Sequence, residues 1–190
     1  YLFFDTDAID TYGPYAKCNP PLRSKADVAA LWEALADGTA TVLGSDHAPH
    51  IKDEKEKGCT EGIWRAPSGI PTLEAFLPFM LTAINQGRLT FAQLSQYLAA
   101  NAARLFGFYP QKGVIEIGSD GDFTIVDPRT PYQFSMSNMV SKARENATIF
   151  EGASCQGKLV YTICRGNILL ADGKLTGALP SGQWVVNVRK

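Results

Sequence analysis

A helix signal that runs straight into a short apolar run constrains this chain more than any other feature. In SKADVAALWEALADG, Ser24 stands three residues before Asp27, a pairing that closes a helix amino terminus from both sides. Val28, Leu31, Trp32 and Leu35 follow at i, i+3, i+4 and i+7 spacing, and Gly38 supplies the stop. TATVLGSD comes next, a β-branched and apolar run ending in polar residues, the pattern of a central parallel strand buried on both faces. A helix feeding such a strand predicts an α/β fold, with Asp46 at the strand's carboxyl end, where catalytic groups stand in parallel α/β folds.

The neighbouring segments extend the pattern. PYAKCN leads into Pro20 and Pro21, which cannot continue a ladder, so Lys17 to Asn19 read as a strand end opening into a loop. Residues 51–70 read as a polar, glycine-punctuated loop in which Lys55 and the other charges of KDEKEK face solvent. Helical spacing resumes in PTLEAFLPFMLTAINQG, with Leu73, Phe76, Leu77, Met80, Leu81 and Ile84 on one side and Pro78 marking a kink or the true start. A further helix, TFAQLSQYLAANAARLFG, carries Phe91, Leu94, Leu98 and Leu105 and stops at Gly107. Beyond it come short alternating runs set off by Gly, Asp and Pro, GVIEIGSDGDFTIVDP and GKLVYTICRGNILLADGKL, the second with an Asp-Gly turn. The expected division is residues 1–108 for an α/β unit and 109–190 for a mostly β module.

Composition narrows the function classes. A chain of 190 residues can bury a substantial core but is too short for a complete (β/α)8 enzyme. With 18 basic and 19 acidic residues and no block of like charge, nothing points to nucleic acid or to an anionic membrane, and no apolar segment reaches spanning length. Cys18, Cys59, Cys155 and Cys164 show no Cys-x-x-Cys spacing, so reduced thiols in a cytoplasmic protein are expected. The start YLFFDTDAID carries no basic region, cleavage site or initiating Met, so the chain is expected to be part of a longer protein.

GSDHAPH concentrates the chemistry, since it holds Asp46 and both histidines of the chain, His47 and His50. A carboxylate at a strand end can bind a divalent metal and take a proton from metal-bound water. One Asp is not a zinc site, because catalytic zinc takes about three protein ligands. Each residue also has a plainer reading. Asp46 can cap a helix, His47 can brace the loop, and His50, fixed behind Pro49, can pack or hold a substrate carboxylate. Asn19 can form an Asx turn ahead of proline.

KCNPPLR, GSDHAPH followed by KDEK, APSGIPTLE, NAARLFG, KGVIEIGSDGDFTIVDP and GKLVYTICRGNILLADGKL occur in this order. In this the chain resembles dihydroorotases of the amidohydrolase superfamily over nearly its whole length. DHAPH together with NPPLR directs the resemblance to dihydroorotase. Allantoinases and hydantoinases or dihydropyrimidinases share the architecture and usually differ at these two places.

The resemblance implies the carboxyl-terminal part of a (β/α)8 TIM-type barrel followed by part of a small β-sandwich. It implies a zinc-dependent cyclic amidohydrolase with two divalent metal ions, reversibly hydrolysing dihydroorotate to N-carbamoyl-aspartate in pyrimidine biosynthesis. By the same resemblance, Asp46 is a metal ligand and proton shuttle, Asn19 and His50 hold the substrate carboxylate, and backbone groups near Pro67 and Gly69 touch the ring. Ser68 stands where an aromatic residue is usual and Thr72 where glycine is usual. The family's His-x-His pair, its bridging lysine and two further histidines lie upstream of the position of Tyr1. The chain alone is therefore expected to hold no stoichiometric metal and to show no turnover. Its expected partners are the missing amino-terminal part of the same enzyme and further copies in a homo-oligomer. The non-catalytic alternative is a dihydroorotase-like subunit assembled with aspartate transcarbamoylase.

Overall fold

Ser24 and Asp27 cap each other. In the computed structural model of the protein, which describes residues 1–179 and 181–186, Ser24 Oγ accepts from the Asp27 amide at 3.3 Å and the Asp27 carboxylate accepts from the Ser24 amide at 3.0 Å. Residues 180 and 187–190, at the end of the expected second module, lie outside the described residues. The helices are α1 (Asp7–Tyr12), α2 (Lys25–Ala36), α3 (Lys52–Thr60), α4 (Leu73–Asn85), α5 (Phe91–Ser95) and α6 (Asn101–Phe106). The strands are β1 (Phe123–Gln133), β2 (Ser154–Cys164), β3 (Asn167–Ala171) and β4 (Lys174–Leu175). No helix among the described residues is long and apolar enough to cross a membrane, and all four cysteines are free.

Four local expectations change. Residues 51–70 contain α3 rather than only loop. Its sequence has no apolar stripe, but Asp53 and Glu54 lie in the first turn and Lys52 pairs with Glu56 at 3.7 Å one turn on, both of which favour a helix. The run 40–46 is not a strand, because a parallel strand is defined by ladder partners and the described residues supply one parallel bridge, His47 to Ile70. Lys17 to Asn19 form no strand either; they follow a 3-10 turn, Gly13–Ala16. Finally, a π turn over Gln96–Ala100 joins α5 to α6. Such a turn inserts about one residue and so rotates later positions by roughly 100°. Leu94, Tyr97 and Ala103 are buried there, while Leu105 faces solvent.

The expected stops hold. Gly107 ends α6 in the left-handed conformation, φ 77°. Pro78 lies inside α4, which begins at Leu73.

The chain packs as two compact units. The first comprises Tyr1–Ala40, Ser45–Phe79 and Tyr132–Cys155. Its core holds Leu22, Ile70, Phe134, Met139, Ile149 and Phe150. Edge-to-face rings at 5.1–5.8 Å link Phe3 to Phe79, Phe79 to Phe150 and Phe4 to Phe150. On α2, Val28, Trp32 and Leu35 turn inward and Leu31 is exposed. The Trp32 indole donates to Leu2 O at 2.7 Å.

The second unit comprises Thr41–Gly44, Met80–Pro131 and the chain from Gln156 onward. Met80, Leu81 and Ala83 are buried there. The strands form one sheet in the order β1-β2-β3-β4, with β2, β3 and β4 antiparallel in sequence. The Asp172-Gly173 turn forms as expected, with φ 48° and 77°, the paired positive values of a tight hairpin.

Candidate functional site

Asp46 is positioned by its neighbours on both sides. Ser45 O accepts the Thr72 hydroxyl at 2.5 Å, His47 Nδ1 accepts the Leu73 amide at 3.1 Å, and the Ala48 amide donates to Ile70 O at 3.2 Å. Residues 45–48 are thereby laid along the lead-in to α4. Thr72 supplies one of these bonds, and His47 braces the loop. Asp46 itself takes φ 47°, a left-handed conformation that Asp tolerates better than most residues, and its side chain is exposed. Its Oδ2 accepts from the Tyr1 hydroxyl at 3.1 Å.

Tyr1 also reaches Pro20 O at 2.8 Å, so one hydroxyl joins the Asp46 carboxylate to the loop of Asn19. Burial first, then Cys18 and Asp46, push the Tyr1 phenol above its ordinary pKa, so it stays a donor. Asn19 is exposed at the tip of that loop.

His50 is half-buried between two acceptors. Nδ1 lies 3.3 Å from Glu54 Oε2 and Nε2 lies 3.4 Å from Ser68 O, and a neutral ring can donate to one of them at a time. Its backbone carbonyl accepts from the side chain of Asn146, which is fully buried. Gly69 packs beside the ring. A Cβ on Gly69 would meet Ala48 O at 2.5 Å and His50 Cδ2 at 3.1 Å, and its φ is +153°. Only glycine fits there without strain. Pro67 is half-buried.

The Lys17 carbonyl is where these segments join. It accepts the Gly69 amide at 3.0 Å and the Lys55 ammonium at 3.0 Å. Lys55, expected in solvent, has no exposed surface and also donates to Pro14 O at 3.1 Å. The reason is the close packing of α3, where a Cβ on Gly58, one turn from Lys55, would meet Ala66 Cβ at 2.6 Å and Pro14 Cβ at 2.7 Å. Lys17 in turn donates to Ala66 O at 2.6 Å and Ile63 O at 3.0 Å.

The structure brings Gly69 against His50 and leaves Asp46 and Asn19 exposed, and it adds Tyr1, Lys55 and Asn146, which the sequence does not single out. The single glycine one turn after Lys55 was the one signal for a tightly packed face of α3.

A metal fits these residues only in part. Among the described residues no group of three or more His, Cys, Asp or Glu side chains converges. Asp46 offers one oxygen ligand, and one of its oxygens already faces the Tyr1 hydroxyl. A separate cleft of about 530 Å³, lined by Tyr15, Lys52, Glu56, Met136, Arg144 and Thr148 among others, includes none of Asp46, Asn19 and His50.

Known proteins share this arrangement of chain. The chain is 37% identical over 97% of its length to an L-hydantoinase of Paenarthrobacter aurescens, covering 40% of that protein. It is 38% identical over 92% of its length to a dihydroorotase of Methanothermobacter thermautotrophicus, again covering 38% of the relative. Among solved structures, a D-hydantoinase from Bacillus sp. AR9 matches with a TM-score of 0.86 at 33% identity, covering 97% of this chain and 41% of that one. The chain therefore spans about 40% of the length of the curated relatives it matches. The pattern of the Amidohydrolase family matches residues 15–169, and the chain belongs to that family.

Proposed function

We propose that this chain is the carboxyl-terminal portion of a cyclic amidohydrolase that interconverts dihydroorotate and N-carbamoyl-aspartate. The observation that carries the reading is the junction at the Lys17 carbonyl, two residues before Asn19, where Gly69 is bonded and His50 packs beside it. Asp46 is linked to the same loop through Tyr1.

Hydrolysis of the ring amide needs a proton taken from the attacking water and returned to the leaving nitrogen. Asp46, exposed at the end of its run, takes and returns it. His50 and Asn19 hold the substrate carboxylate, and backbone groups of Pro67 and Gly69 meet the ring. Divalent metal ions, which members of the family generally use, would be held in part by Asp46 and would supply an activated water to the ring amide. In this reading residues 1–108 belong to the barrel and 109–190 to the β-sandwich.

The L-hydantoinase likeness favours a second reading, in which the substrate is a hydantoin. A side-by-side assay of the complete enzyme on dihydroorotate, hydantoin and allantoin separates the two. The fastest turnover is expected on dihydroorotate. A preference for hydantoin or allantoin would overturn the specificity. No turnover of any cyclic amide would leave the non-catalytic subunit beside aspartate transcarbamoylase.

A further inference from the structure

Lys55 has an environment that a merely solvated or merely packed lysine does not need. Its side chain is wholly buried, and burial lowers its pKa from 10.5 to about 8. Among the described residues no carboxylate is bonded to it, and its two acceptors there are backbone carbonyls, Pro14 O at 3.1 Å and Lys17 O at 3.0 Å. Burying an ammonium against neutral dipoles is costly, and an apolar side chain of similar length would fill the same space without that cost. What the apolar side chain would not do is hold the Lys17 carbonyl. That carbonyl also takes the Gly69 amide at 3.0 Å, while Gly69 lies against Ala48 and the His50 ring. Helix α3, which carries Lys55, begins two residues after His50. Three separate loops, those of Asn19, His50 and Gly69, are thus referred to one carbonyl oxygen, and Lys55 donates to it from inside.

We infer that Lys55 is a positioning residue whose buried ammonium fixes the Lys17 carbonyl and thereby sets where Asn19, His50 and Gly69 stand relative to one another. It touches no substrate and transfers no proton. Its effect on binding is through the geometry of the loops, where small misplacements are expected to weaken substrate contacts. The inference deepens the proposed function and rests on it for the identity of the bound carboxylate.

The test uses the complete enzyme with Lys55→Met and Lys55→Gln. In Lys55→Met the KM for dihydroorotate is expected to rise about tenfold with kcat within about threefold, the pattern of lost binding rather than lost chemistry. Amide exchange at Gly69 is expected to speed up while the amides of α2 keep their rates. Lys55→Gln, which retains a donor, is expected to fall between the two. Equal loss of KM and kcat performance, or unchanged exchange at Gly69, would overturn the positioning role. So would failure of both variants to fold, which would make Lys55 a folding residue. If the wild-type enzyme prefers hydantoin, the proposed substrate fails. The positioning role is then judged on the Gly69 exchange and on the KM for hydantoin, which meets the same loop.

Discussion

The Tyr1 hydroxyl lies 3.1 Å from Asp46 Oδ2 and 2.8 Å from Pro20 O, so a single donor stands between the candidate proton shuttle and the loop of the candidate carboxylate binder. A hydroxyl has one proton to give, and it bonds one of these acceptors fully at a time. The Asp46 carboxylate therefore retains acceptor capacity for water, as a general base requires. Asp46→Asn keeps the left-handed backbone and the hydrogen bond from Tyr1 but removes the base. In the complete enzyme it is expected to lower kcat by about a hundredfold or more, with folding unchanged by circular dichroism. A kcat near wild type would remove Asp46 from the chemistry.

Asn146 and His50 are separated by 96 positions, yet the Asn146 side-chain amide donates to the His50 carbonyl. Asn146 is fully buried, and among the described residues its Oδ1 has no hydrogen-bond partner. Replacing it with Leu leaves the part-buried His50 carbonyl without this donor. Asn146→Leu is expected to cost about 1–3 kcal/mol in denaturant unfolding and to raise KM for a carboxylate-bearing substrate. An unchanged unfolding midpoint would show that the bond contributes nothing.

Gly69→Ala tests the close approach behind His50. The new methyl would sit 2.5 Å from Ala48 O with φ at +153°, so backbone must move. The expected destabilisation is at least about 1 kcal/mol, accompanied by weaker substrate binding. Thermal unfolding and KM measured on the same preparation check it, and wild-type values for both would mean that the loop adapts freely.

The buried Lys55 also predicts a dependence of stability on pH. Its pKa is lowered from 10.5 to about 8 by burial, so between those values the unfolded chain binds more protons than the folded one. Stability therefore rises with pH through this window, and the burial cost is present in full only well below pH 8, where both states are protonated. The denaturation midpoint of the wild type, taken relative to Lys55→Met, is expected to increase from about pH 7 to about pH 10. A constant difference across that range would mean that the ammonium is not held in the interior.

By itself the sequence determined what is settled within a few residues. Ser24 and Asp27 could be paired from their spacing, and Gly107 and the Asp172-Gly173 turn could be placed from their backbone freedom. Helix α3 is not legible locally, because it lacks a hydrophobic stripe and is held by charge spacing and by packing against Pro14 and Ala66. The tertiary structure alone decided that Lys55 is buried, that Tyr1 reaches Asp46, and that Asn146 reaches His50. These contacts join segments 38, 45 and 96 positions apart, and no local periodicity carries them. A caps-and-stripes reading responds to interactions one turn or one strand long, whereas the carbonyl of Lys17 acquires its two donors only when three distant loops have already been packed together.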